Sequence, residues 1–270
     1  MSVKATVQAF LALPNDSKVK TFGVALILCL VCSIAVSTAA VALKPVQDAN
    51  KLLDKRSNIL QIAGLMQPNQ SVDVLFKQVE AKVVDLQTGE YVTDIDPNTF
   101  DARAAAVDPK QNVVLSKAQD IASIKRRAKY ATVYLVKDAQ GQLQKIILPV
   151  HGYGLWSTLY GFLALKGDAN TVIGLGFYEH AETPGLGGEV DNPQWKAKWS
   201  GKQVFDAQGN IAIRVTKAAA PEGDPKAIHD VDALSGATLT SNGVNNLVHF
   251  WLGDDGFGPY LQKVRNGGGV

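Results

Sequence analysis

The sequence predicts an α+β protein tethered to a membrane: a single N-terminal transmembrane helix, then a mostly antiparallel sheet with helices packed on it. Three observations carry this expectation. Residues Thr21 to Leu43 contain no charged side chain. Downstream, strand-like runs come in pairs around short turns bearing Gly, Asp and Asn. Near the C-terminus, Val244 to Leu252 has apolar residues at helical spacing.

Taken in order, residues 1–20 read as a short tail, with an apolar patch at Phe10 to Leu13 and a Pro14-Asn15-Asp16-Ser17 breaker. The run 21–43, at 1.5 Å per residue, covers the ~30 Å of a bilayer's hydrocarbon. Ala40-Val41-Ala42 imitates a signal-peptidase site, but the run exceeds the usual h-region and a tail precedes it, which favours an anchor. Lys4, Lys18 and Lys20 precede it while Lys44, Lys51, Lys55 and Arg56 follow, so charge alone does not orient the helix. The two cysteines, Cys29 and Cys32, lie inside this run and read as small packing residues. A net charge of +2 without a basic stripe, and no zinc-type Cys/His spacing, leave nothing to suggest nucleic acid as a partner.

Residues 44–128 are expected to form a stalk followed by a helical and irregular segment. Leu52, Ile59, Ala63 and Met66 share one helical face, Val72 to Val84 repeats a helical pattern, and residues 94–112 are rich in Asp, Pro and Asn. The basic cluster Lys125, Arg126, Arg127 and Lys129 reads as a solvated face. Residues 129–270 hold the folded domain. Ala131–Lys137 and Leu143–Val150 flank an Asp-Ala-Gln-Gly turn, Tyr160–Leu165 and Val172–Tyr178 form a second pair, and Val204–Val215 a third around Gly209-Asn210. Asn192–Trp199 and Pro259–Val264 read as short helices.

Two stretches carry chemistry. In Asp232-Ala233-Leu234-Ser235-Gly236-Ala237-Thr238 the small residues leave the Thr238 hydroxyl open to a large partner. The following helix, with Thr240 or Ser241 as its expected N-cap, would turn the positive end of its dipole towards a phosphate there. A plain turn into a capped helix is the bland alternative. In His180-Ala181-Glu182-Thr183-Pro184-Gly185-Leu186-Gly187-Gly188 the glycines let a flat ring lie against the backbone, or else make an ordinary strand connection. His180 reads as a loop histidine with a backbone partner.

The segment from Asp232 to Thr238 resembles the flavinylation signature D-x-x-S/T-G-A-T, whose last threonine carries FMN through a phosphoester bond. With the apolar N-terminal run and the H-A-E-T-P-G-L-G loop in the same order, the chain resembles, along nearly its full length, the covalent FMN-binding subunit of the bacterial sodium-translocating NADH:quinone oxidoreductases. The resemblance implies an FMN-binding domain with FMN covalently held at Thr238 and Asp232, Ser235, Gly236 and Ala237 completing the motif. It places Glu182, Thr183, Leu186 and Gly187 along the isoalloxazine or ribityl pocket, Trp156 near the flavin, and Lys217 beside the phosphate or the reduced ring. Between Lys217 and Asp232 this chain runs a few residues longer than the family pattern. The resemblance further implies an electron carrier with no catalytic side chain, in a translocase passing electrons from NADH to ubiquinone while exporting sodium. Its partners would be the other subunits, and a flavin transferase would mature it. It would sit in the inner membrane with a cytoplasmic tail and its FMN domain in the periplasm. The alternatives are the equivalent flavoprotein of the ferredoxin-linked complex, against which the long segment before Ala131 weighs, a non-redox binding or sensing domain, and a hydrolase using Ser235 with His151 or His229, for which no G-x-S-x-G elbow exists.

Overall fold

A computed structural model describes residues 3–221 and 223–268. It divides into two compact units, 1–52 and 53–270. In the first, helix α1 (Val3–Leu11) precedes the long helix α2 (Lys18–Ile62). The expected short tail contains a helix: the Phe10 ring lies where a Cβ on Gly23 would fall, and Lys20 Nζ donates to the carbonyls of Leu11 and Leu13. Helix α2 is the one helix among the described residues long and apolar enough to cross a membrane, with mean hydropathy 2.6 over its most apolar stretch. Its apolar side chains there, such as Phe22, Ile34 and Val41, are exposed.

Helix α2 continues unbroken past Pro45 to Ile62, and its last turns belong to the second unit. Its expected apolar face is shifted. Ile59, Leu60 and Ala63 are fully buried, whereas Leu52 and Met66 are exposed.

The second unit then contains α3 (Val72–Phe76), β1 (Val79–Asp85), β2 (Tyr91–Val92), α4 (Ala102–Val107), β3 (Asn112–Val114), β4 (Arg126–Ala128), β5 (Tyr130–Lys137), β6 (Leu143–Tyr153), β7 (Thr158–Lys166) and β8 (Val172–Glu179). After these come a 3-10 turn (Gly187–Asp191), α5 (Pro193–Ala197), β9 (Arg214–Thr216), β10 (Asp230–Asp232), α6 (Thr238–Leu252) and α7 (Gly258–Arg265). The main sheet has the order β2-β1-β5-β6-β7-β8, antiparallel throughout.

Strand alternation gives the sheet two buried faces. Ile146, Leu148 and Val150 of β6 pack with Val244, Leu247 and Trp251 of α6, while Ile147 of β6 and Phe162 of β7 pack with Ile59 and Ala63 at the end of α2. Gly174 and Gly176 of β8 make room for that helix end, since a Cβ on either would stand 3.0 Å from Ile62. Lys145 Nζ donates to the Ala63 carbonyl at 2.7 Å, placing a cation at the negative end of the helix.

Several expectations need correction. Val72–Val84 is helical only to Phe76; the rest is β1, an inner strand fixed by seven residue pairs with β5. Val204–Val215 is not a strand pair: only an isolated Phe205–Ile211 bridge spans the turn, and Arg214–Thr216 runs parallel to β10 instead. Arg127 is not on a solvated face but buried, donating to the Ala128 carbonyl. Helix α6 begins at Thr238 rather than after Thr240, with Ala237 at its N-cap and no side-chain cap.

Candidate functional site

Three segments meet at the end of the sheet where β6 finishes: the turn 154–157 between β6 and β7, the Gly-rich run 180–188 after β8, and the motif leading from β10 into α6. Glu182 joins all three. Its Oε1 accepts hydrogen bonds from the backbone amides of Leu155, Trp156 and Ser157 at 3.0, 3.0 and 3.2 Å. Its Oε2 accepts the Thr240 hydroxyl at 2.7 Å. A further bond from Ala181 N to Ser157 Oγ at 2.7 Å latches the first two segments.

The cluster is closed by glycines. A Cβ on Gly154 would lie 2.6 Å from Glu182 Oε1, and one on Gly187 would lie 2.5 Å from Thr240 Oγ1. Elsewhere on α6, a Cβ on Gly243 would lie 2.5 Å from the Tyr153 carbonyl, so the helix rests on the backbone of β6. Glu182 is only 5% exposed and Thr240 fully buried. Burial pushes the Glu182 carboxyl up, but the amide and hydroxyl bonds outweigh it and hold the group below its ordinary range, so it is ionised at neutral pH.

The motif itself divides into buried and presented residues. Asp232 ends β10; its Oδ2 accepts Lys198 Nζ at 2.7 Å, its Oδ1 accepts Ala219 N at 2.7 Å, and its carbonyl accepts Trp195 Nε1. The Lys198 bond is the main reason that carboxyl titrates below its ordinary value. Gly236 has φ +74, the left-handed region that favours glycine, and Ala237 is buried. Thr238 and Ser235 are exposed; Ser241 Oγ accepts from Leu234 N and is buried. Thr238 is the first residue of α6, where the backbone amides of Thr238, Leu239 and Thr240 have no acceptor within the helix.

The same three segments carry exposed apolar side chains. Trp156 is 65% exposed, Leu239 58% and Leu186 47%, and Leu186 Cδ2 is 3.5 Å from where a Cβ on Gly236 would stand. Ser235 immediately precedes that glycine in the turn. Thr183 is exposed, and its carbonyl accepts the amides of Leu186 and Gly188, which folds the Gly-rich run into a tight turn. Lys217 is exposed one residue beyond Thr216, the register partner of Asp232. It thus stands at the motif's strand pair, without a contact to the Glu182 cluster among the described residues. His180 accepts from Glu182 N through Nδ1 and bonds Asp191 Oδ2 through Nε2.

A hydrolase arrangement is not assembled. His151 stacks on Tyr160 and lies tilted against Trp251, and His229 Nδ1 bonds the Gln203 carbonyl; neither is bonded to Ser235. Sequence reasoning missed the burial of Thr240 and Ser241, and the roles of Leu239 and Gly243. Gly243 did carry a signal, since a glycine within a helical pattern marks a close approach.

The relatives of the chain decide its family. It is 57% identical to the NqrC subunit of the Na(+)-translocating NADH-quinone reductase of Pseudomonas aeruginosa, over 94% of this chain and 98% of that one. Its identity to the protein of the same name from Yersinia pestis is 52%, covering 94% and 95%. The chain belongs to the NqrC family of the Na(+)-translocating NADH-quinone reductases. Within it, residues 154–253 match the family model described as an FMN-binding domain, a span that contains all three converging segments. The crystal structure of Shewanella oneidensis NqrC superposes with a TM-score of 0.73 at 40% identity, covering 81% of this chain and 99% of that one. The NqrC structure from Parabacteroides distasonis gives 0.61 at 27% identity, over 81% and 96%.

Proposed function

We propose that this protein is the membrane-anchored electron carrier of a sodium-translocating NADH:quinone reductase, with FMN joined through its phosphate to Thr238. The observation that carries the reading is the setting of that hydroxyl. Among the hydroxyls of the motif region, Thr240 and Ser241 are buried and bonded while Ser235 and Thr238 are exposed, and of these two Thr238 stands at the first position of a helix whose free amides suit a phosphate. The residues fit FMN in other respects as well. Trp156, Leu186 and Leu239 offer apolar surface for a flat ring, and the exposed Gly185 adds backbone rather than bulk to the same turn.

When bound, FMN supplies the one- or two-electron chemistry. The chain's own residues hold and shield it. Ser235, Gly236 and Ala237 clear the approach to Thr238, and Asp232 fixes the strand end behind it. Thr183, Leu186 and Gly187 wall one side, Trp156 another, and Lys217 offers a cation from the neighbouring strand pair. No side chain acts as acid or base. The partners are the other subunits of the complex, which passes electrons from NADH to ubiquinone, and a flavin transferase for maturation. Residues 21–43 span the inner membrane, the tail 1–20 lies in the cytoplasm, and the compact unit 53–270, in which β1 and the end of α2 complete the sheet and core of 129–270, carries FMN in the periplasm.

The test is the intact mass of the full chain coexpressed with a flavin transferase. It gains one FMN less one water, and Thr238→Ala gains nothing while remaining folded by circular dichroism. An unmodified parent chain, or a modified Thr238→Ala, would refute the proposal.

A further inference from the structure

The Glu182 carboxylate is the least expected feature of this site. An ionised group so little exposed would be costly without partners, yet every bond its carboxylate makes is to the chain itself: three amides of one turn and one hydroxyl of α6. Both oxygens are engaged, and Gly154 and Gly187 press against them so closely that a Cβ at either position would clash.

We infer that Glu182 is a positioning residue, which locks the Trp156 turn to the first turn of α6 and so fixes the wall against which the group carried at Thr238 rests. This deepens the reading of the site as an FMN site and rests on it for its second half. Its first half stands without FMN. Through Thr240, in the first turn of the helix, the carboxylate sets where α6 begins; through Leu155, Trp156 and Ser157 it sets the path of the exposed Trp156 turn. Because one carboxylate holds both, the separation between Thr238 and Trp156 is fixed by bonds of 2.7–3.2 Å rather than by apolar packing alone. No other charged side chain hydrogen bonds to these four donors among the described residues. Ser157 adds the Ala181 amide to the same assembly.

Two substitutions separate the halves. Thr240→Val keeps the side chain's shape and removes the hydroxyl, and Glu182→Gln keeps the shape and removes the charge; Thr240→Ser restores the hydroxyl. In the Thr238→Ala chain, which lacks any flavin attachment, hydrogen exchange should show the Leu155, Trp156 and Ser157 amides protected. Adding Glu182→Gln should speed their exchange at least tenfold while leaving the amides of β6 and β7 at their parental rates. In the flavin-bearing full chain, Thr240→Val should keep the covalent mass gain but make the flavin more accessible to iodide quenching and shift its midpoint potential, and Thr240→Ser should restore both. Parental exchange at residues 155–157 in the Glu182→Gln chain would overturn the inference, as would parental quenching and potential in Thr240→Val. A chain that acquires no FMN would refute the flavin reading instead, and the exchange result would still decide the role of Glu182.

Discussion

At the residue scale, the site depends on which hydroxyls are used for structure and which are left exposed. Thr240, the expected cap, instead donates to an ionised carboxylate in a buried position. Thr240→Ala should therefore cost more than a cap, about 2 kcal/mol in chemical denaturation, because a bond to a charged group is lost and the carboxylate is left short of a donor. A loss under about 1 kcal/mol would argue that the hydroxyl is merely a cap. The exposure of Thr238 was legible from the small residues around it. The burial of Thr240 was not, because its partner lies in the Gly-rich run, far away in sequence.

A second residue-scale prediction concerns pH. Burial between Tyr160 and Trp251, with the Arg103 guanidinium 3.5 Å over the Tyr160 ring, lowers the His151 pKa from 6.5 to about 4. The unfolded chain then binds a proton that the folded chain refuses, so stability declines as pH falls from 6.5 to 4, by on the order of 3 kcal/mol in total. Glu182, with its depressed pKa, adds its own loss only as pH falls below the ordinary carboxylate value of 4.5. His151→Gln should flatten the upper window in denaturant titrations across that range; an unchanged slope between about pH 6.5 and 5 would contradict the assignment.

At the element scale, the end of α2 is as much a part of the core as any strand. Ile59, Leu60 and Ala63 are fully buried, and Ile59 and Ala63 pack in one cluster with Tyr134, Ile147 and Phe162. Ile59→Ala should cost about 3 kcal/mol in thermal or chemical unfolding of the soluble domain, the usual range for a truncated buried aliphatic side chain. Hairpins were readable where a turn announced them: Asp138 accepts the amides of Gln140 and Gln142, and Gly141 takes φ +80, as the Asp-Ala-Gln-Gly run suggested. Strand β1 was not readable, because the spacing of Val79, Val83 and Val84 suits a helix as well as a strand and its partner β5 lies beyond a long connection. The parallel pairing of β9 with β10 has no local signature at all.

At the scale of the whole molecule, residues 53–270 form one compact unit that includes the last turns of the long helix. A chain starting at Pro45 should be soluble and monomeric by analytical ultracentrifugation, since it removes the apolar run and keeps Ile59 and Leu60. A chain starting at Gly64 should aggregate, because it uncovers the sheet face bearing Tyr134 and Phe162. The apolar run and the motif were legible as separate signals; their family context rests on relatives that match nearly the full length. The claim that unites them is that one hydroxyl, presented by the fold, carries the flavin. Peptide mapping of the flavin-bearing chain by mass spectrometry tests it most directly, since Ser235, Thr238, Thr240 and Ser241 fall within one fragment whose internal cleavage ions separate them. The mass of FMN less water should lie on Thr238 alone; finding it on Ser235, Thr240 or Ser241 would contradict the account.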